Sequence, residues 1–221
     1  MTTTKPSNRA KRKASATTRN VQSGKPDTTT DAHERRKDYL HHSELDAFLT
    51  AARSGRHGIR DHALALTTAR HGLRVSELVD LRTSDLHIDE PRTARMTVKR
   101  LKHSLDGEHP IQGDELRALK AWLDIRPERS GYDNVFLNER RQPFNRKTIN
   151  YLFGQIAIRA KLPHVNPHML RHTCGFLLAE NNRPLLAIQH YLGHRQPANT
   201  VRYARISASQ FDDFFRRKGK A

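Results

Sequence analysis

Cysteine is nearly absent from this 221-residue sequence: Cys174 is the only one. A lone cysteine excludes a disulfide within the chain and any zinc site built on several thiolates. Long apolar runs are missing too. No stretch approaches the ~18 apolar residues of a membrane span, and Met1-Thr2-Thr3-Thr4-Lys5-Pro6 lacks the apolar segment of a signal peptide. Acidic side chains are scarce beside basic ones, 23 Asp and Glu against 40 Lys and Arg, which leaves a net charge of +17 and a pI of about 10.6. Such an excess repels itself on a lone domain and points to a polyanionic partner. Nucleic acid is the partner expected, held through its phosphates with a steep dependence on salt. A soluble, reducing compartment that contains nucleic acid, and no membrane, fits these absences together.

Large apolar side chains are also scarce over residues 1–38. A segment of that kind cannot offset its ordering entropy by burial, and the expectation is a disordered basic tail. Residues 1–37 carry ten bases and three acids, a net +7. Two readings stand beside each other: a solubilising tail, or an arm that follows a phosphate backbone through the Lys11-Arg12-Lys13 cluster.

From His42 the pattern becomes periodic. Ser43 is the expected N-cap of a helix whose stripe is Leu45, Phe48, Leu49 and Ala52. A second helix is expected over Ile59 to Arg70, closed by Gly72, and a short third one through Ser76 to Leu81. Arg95 to Val98 and His109 to Ile111 read as strands around an Asp106-Gly107 turn. Asp114 is the expected cap of the next helix, with Leu116, Leu119, Trp122 and Leu123 on its inner face. Val135-Phe136-Leu137 is ambiguous. Ile149, Leu152, Phe153 and Ile156 form another stripe. Asn166-Pro167 opens a further helix with a cap and a pre-set first-turn residue, and Arg183-Pro184 opens one that Gly193 ends. Ser207 and Gln210 make a capping box before Phe211, Phe214 and Phe215. The fold class expected is mainly α with a small antiparallel sheet, in one domain over residues 39–217 with a short flexible C-terminus at 218–221.

The polar residues that stand out are spread along this domain. Arg74 lies in Gly72-Leu73-Arg74-Val75-Ser76-Glu77-Leu78. His168 and Arg171 are three apart at the start of a helix, on one face and near its positive end. Leu192-Gly193-His194 follows, and Tyr203 comes nine residues after His194. Arginines can hold phosphate oxygens in fork geometry, histidines can move protons, and a tyrosine can attack phosphorus. A phenol with a pKa near 10 needs a dense positive pocket for that work, and this set can supply one. A leaving deoxyribose oxygen also needs a proton; Lys99 and Lys102 flank the end of the Arg95–Val98 strand, and Lys102 is the preferred donor.

Singly these elements are ordinary. In this order they resemble the tyrosine recombinase (phage integrase) family, over about residues 39–217. The resemblance implies that Tyr203 attacks the scissile phosphate to give a 3′-phosphotyrosyl bond and a free 5′-hydroxyl. Arg74 and Arg171 then stabilise the transition state, His168 accepts the proton of Tyr203, Lys102 is the general acid and His194 hydrogen-bonds the phosphate. It implies no cofactor or metal, double-stranded recombination sites as partners, four protomers on two paired sites, and a bacterial cytoplasm. Arg100-Leu101-Lys102-His103, His109-Pro110, Pro167 to Phe176 and Tyr191 to Arg195 are similar to the short recombinases that invert fimbrial promoter segments. Like them, the sequence has no room in its first 38 residues for a separate helical core-binding domain.

Three other readings compete. His168 with His172, and His190 with His194, have the i,i+4 spacing of metal ligands, but no adjacent Glu supplies a base as in His-Glu-x-x-His. An integrase relative without catalysis would bind DNA as a regulator, though all six expected positions are filled. A DNA-relaxing enzyme of type IB kind would use the same chemistry.

Overall fold

The computed structural model describes residues 1–2, 38–100, 106–128 and 131–203. The basic tail, Lys102 and the aromatic set Phe211, Phe214 and Phe215 with its Ser207 cap lie outside these residues. No helix among the described residues is long and apolar enough to cross a membrane.

The expected class holds: helices dominate, with one three-stranded antiparallel sheet. Helix α1 spans His42–Arg53 and begins earlier than expected. Ser43 is inside it rather than at its cap, because Glu44 reaches back to accept the His41 backbone N–H at 2.8 Å. Helix α2, Gly58–His71, is buried on nearly every side, with Ala63, Leu64, Ala65, Leu66 and Ala69 in the core. It is therefore the central helix of the domain. Gly72 ends it in the left-handed conformation at φ 55°. A Cβ there would stand 2.5 Å from the Leu192 side chain, so this turn is also a close contact with the chain's later helices.

Helix α3, Val75–Asp80, follows after three residues and leads through a 3-10 turn at Thr83–Asp85 into the sheet. Strands β1 (Leu86–His87), β2 (Arg95–Val98) and β3 (Gly107–Pro110) pair in sequence order. The β2–β3 turn is displaced from the expected Asp106-Gly107. Met96 pairs with His109 and Val98 with Gly107, so Gly107 belongs to the strand and the loop lies before it. Burial explains the register: Met96, Val98 and His109 all need the inner face, and side chains alternate along a strand. Ile111 falls beyond β3 and is buried in the core.

Helix α4, Gly113–Ile125, is capped at Gln112, and the expected cap Asp114 lies in its first turn. Asp114 is engaged by Arg70 at 2.7 Å, a partner that sequence spacing does not reveal. Val135, Phe136 and Leu137 form no strand of their own; they are buried, joined by single bridges at Asn134 and Leu137, with the Trp122 indole donating to the Val135 carbonyl. Helix α5, Arg146–Arg159, buries Ile149, Phe153 and Ile156 behind an Asn145 cap. Helix α6, Pro167–Glu180, opens as expected, with the Asn166 side chain accepting the Met169 N–H at 3.0 Å. Helix α7, Leu185–Leu192, ends at Gly193 with φ 65°, and the short α8, Ala198–Val201, leads to Tyr203. A large core gathers α1 to α6 and the sheet. A second, small cluster holds Cys174, Ala179, Ile188, Leu192 and Tyr203.

Candidate active site

Three tight turns bring the candidate residues together. Gly72 ends α2 and places Arg74 at the N-cap of α3. The Asn166-Pro167 start of α6 sets His168 and Arg171 a turn apart. Gly193 ends α7 and turns the chain toward His194. Arg74, His168 and Arg171 line one cleft of about 300 Å³, together with Ser76, Arg146 and Asn150.

The end of α7 is the frame on which the arginines hang. Helix C-termini carry carbonyls with no partner inside the helix and a partial negative charge. Here three successive carbonyls accept from three arginines. Arg100 donates to Tyr191, Arg171 to Leu192, and Arg74 to Gly193 at 3.4 Å. Arg171 also donates to the Gly72 carbonyl at 2.6 Å, which ties α6 to the end of α2. It is 2% exposed. Burial, with Arg74 and Arg100 nearby, pulls its pKa down to about 10, so it remains a cation at neutral pH.

Glu77 balances this positive charge. One oxygen accepts from Arg74 at 2.7 Å and the other from Arg100 at 2.6 Å, and the Arg74 backbone N–H adds a third bond at 2.8 Å. Spacing along a short helix explains the first contact, since residues three apart share a face. The second joins α3 to the end of β2 and has no signal in the sequence. Glu77 and Arg100 both lie in motifs that the sequence shows, yet the sequence assigns neither a role in the site.

Tyr203 is 1% exposed. Its hydroxyl lies 3.0 Å from His172 Nδ1, its ring stands edge-on to Phe176 and lies parallel to His194 with centroids 6.3 Å apart. Gly175 makes room for it: a Cβ at that position would stand 2.4 Å from the ring. Burial raises the Tyr203 pKa to about 12, with Arg171 and Arg202 pulling the other way. The partner of the hydroxyl is thus His172, one residue after Arg171, rather than the expected His168. His168 is exposed at the cleft and packs edge-on against His172, with centroids 4.4 Å apart. Partial loss of water around the ring inside the cleft, with Arg171 and Arg202 close, lowers the His168 pKa. His194 shares the same causes, burial first and then Arg171 and Arg74, and falls to about 3; its Nδ1 meets the Thr200 hydroxyl at 2.9 Å.

Two candidates for the proton donor fare differently. Lys99 pairs with Asp85 at 2.6 Å, at the edge of a neighbouring pocket; Lys102 is among the residues not described. The other tyrosine near this site, Tyr191, is engaged in packing. Its hydroxyl donates to the Arg70 carbonyl at 3.1 Å, its ring stacks on His109, and burial pushes its pKa up. Among the described residues no three His, Cys, Asp or Glu side chains gather as ligands for a metal ion.

This geometry coincides with a match to known proteins. The model of the phage integrase family covers residues 38–210. This chain belongs to that family. It is a tyrosine-type site-specific DNA recombinase. The type 1 fimbriae regulatory protein FimE of Escherichia coli (strain K12) is 36% identical over 183 residues, which cover 81% of this chain and 91% of FimE. FimB of the same strain is also 36% identical, over 81% of this chain and 90% of its own length. Among solved structures, XerA recombinase superposes with a TM-score of 0.70 at 28% identity; the match covers 81% of this chain and 65% of XerA.

Proposed function

We propose that this recombinase cleaves and rejoins double-stranded DNA through Tyr203, and that the product is an inverted or integrated segment. Arg74 and Arg171 grip the non-bridging oxygens of the scissile phosphate. The phenolic oxygen of Tyr203 attacks phosphorus, its proton passes to His168, and the 5′ oxygen leaves with a proton from Lys102. His194 hydrogen-bonds the phosphate. The 3′-phosphotyrosyl bond keeps the energy of the broken linkage, so a 5′-hydroxyl can attack it and release the tyrosine without metal or nucleotide. The observation that carries this reading is the pair of guanidinium groups, fixed on one helix end and facing one cleft that His168 shares. Charge placed before the reaction at the point where negative charge develops is the strongest lever a protein has on such a step.

Tyr203 is buried with its hydroxyl on His172, so the ring comes out of its pocket before a phosphate can reach it, and the observed position is a resting one. Assembly is the natural trigger. A cleft of about 540 Å³ between α1, α2, α6 and α7, where Leu45, Leu49, Leu177 and Leu178 lie beside polar residues such as Arg70 and Asp114, would seat Phe211, Phe214 and Phe215 from a neighbouring protomer. Four protomers would then join two sites, and residues 1–38 would serve as a basic arm outside a 39–217 catalytic domain.

Covalent capture on DNA carrying a nick beside the cleavage site tests the assignment. Tyr203→Phe should abolish the protein–DNA adduct and leave site binding nearly intact, because one hydroxyl is lost. An adduct peptide containing Tyr191, or an adduct formed by the Phe variant, would overturn it. Phe211→Ala with Phe214→Ala should bind one site and form few paired complexes in native gels; normal tetramers would remove the assembly trigger.

A further inference from the structure

Arg100 is the arginine that the proposed chemistry leaves without a task. Its side chain is 1% exposed, as is that of Glu77, its ion-pair partner. Burying a guanidinium is costly, and it is tolerated where a carboxylate and further acceptors meet it. Arg100 has both, Glu77 at 2.6 Å and the Tyr191 carbonyl. It is too enclosed to touch a DNA phosphate. What it touches instead is everything that aims Arg74. Glu77 holds Arg74 with its other oxygen at 2.7 Å. The Tyr191 carbonyl is two residues before the Gly193 carbonyl that accepts from Arg74.

Two further contacts show how closely this joint is built. A Cβ on Gly193 would stand 2.9 Å from the Arg100 side chain, so the left-handed turn at the end of α7 packs on the Arg100 stem. The Arg100 backbone N–H donates to Asp106 at 2.8 Å, which ties the end of β2 to the residue before β3. One residue therefore connects the sheet, the carboxylate of α3 and the end of α7.

We infer that Arg100 is a positioning residue for the cleavage reaction: its buried ion pair with Glu77 and its bond to the Tyr191 carbonyl hold the guanidinium of Arg74 toward the scissile phosphate. A lysine cannot reproduce this. Its ammonium is a point charge without the planar fork that spans a carboxylate and a carbonyl at once.

The inference rests on Arg74 gripping the phosphate, and the test separates the two. Single-turnover cleavage of nicked duplex is measured for wild type, Arg74→Ala, Arg100→Lys and the double variant, with site affinity measured alongside. Arg100→Lys should slow cleavage about 10- to 100-fold, the scale of a misplaced catalytic group, with affinity within a few fold of wild type. In the Arg74→Ala background the same change should cost less than about threefold, since residues acting through one another are not additive. Full additivity would make Arg100 merely structural and overturn the inference. Wild-type cleavage by Arg74→Ala would instead overturn the phosphate assignment. Should Arg100→Lys fail to fold, Arg100→Met with Glu77→Gln removes both buried charges and avoids a stranded carboxylate. That pair should cleave as slowly as Arg100→Lys is expected to; cleavage at the wild-type rate by the pair would refute the role.

Discussion

Arg171 and Tyr203 are both buried, at 2% and 1% exposure, yet their surroundings differ in kind. Arg171 is bonded to main-chain carbonyls of two elements, Gly72 after α2 and Leu192 in α7, and lies within a lattice of three arginines balanced by Glu77. Tyr203 sits in a small apolar cluster with Cys174, Ala179, Ile188 and Leu192, and its hydroxyl meets His172. Its neighbour Arg202 contacts the same histidine at 3.0 Å. Under the function proposed above, the contrast follows from what each group would do. Charges that receive a phosphate work best when they are fixed beforehand, since no reorganisation is then needed at the moment of reaction. A nucleophile that acts only when its partner sites are in place must be released, and a small cluster opens more readily than a main core.

The arginine side can be broken most severely. Losing one positioned donor to a developing oxyanion costs about 10²–10³ in rate, so Arg74→Ala and Arg171→Ala should each slow single-turnover cleavage by that much. Arg171→Ala should also lower thermal stability, because it leaves the Gly72 and Leu192 carbonyls unpaired in a buried joint. Equal melting temperatures for the two variants would show that Arg171 is not part of the scaffold.

Gly175→Ala probes the tyrosine side without touching a polar group. In an ordinary helix this change would stabilise by about 1 kcal/mol. Here the new methyl collides with the Tyr203 ring, and overpacking of that sort costs about 1–3 kcal/mol. The expected outcome is a modest loss of stability with Tyr203 driven from its pocket, read as faster nitration of that ring by tetranitromethane. A more stable protein with a protected Tyr203 would mean that the cluster absorbs the methyl.

The two sides should also part company in pH, the gentlest of the tests. Burial depresses His109 and His194 to about 3, helped at His109 by His71 and then the arginines and at His194 by the arginines, against about 6.5 in an unfolded chain. A depressed pKa gives stability that is present above the unfolded value and lost as the pH falls. Melting temperatures should therefore decline from pH 6.5 toward pH 3, and His109→Gln should flatten the decline. Tyr203 has the opposite sign: raised from about 10 to about 12, its contribution is complete below pH 10 and disappears as the pH rises to 12. A curve for His109→Gln that matches wild type through the acid range would remove that histidine from the account.

Much of this was legible in the order of residues. Gly72, Asn166-Pro167 and Gly193 announce the three turns of the site, because a left-handed C-cap and a capped first turn are local requirements of the backbone. Among the described residues the expected helices appear within a residue or two, and the strand Arg95 to Val98 within its expected bounds. The displaced caps at Ser43 and Asp114 were not legible, since Glu44 and Arg70 compete for the groups concerned. Nor was the β2–β3 register, which burial of Met96, Val98 and His109 selects.

The sequence by itself determined the class of fold, the family, and which arginines, histidines and tyrosine stand in the right order, because helical period, turn chemistry and motif spacing act over a few residues at a time. Only the tertiary structure decided who meets whom. Arg100 reaches Glu77 across 23 positions and Tyr191 across 91, and Tyr203 finds His172 across 31. Buried charges take the acceptors that packing brings to them, and packing depends on the whole core at once.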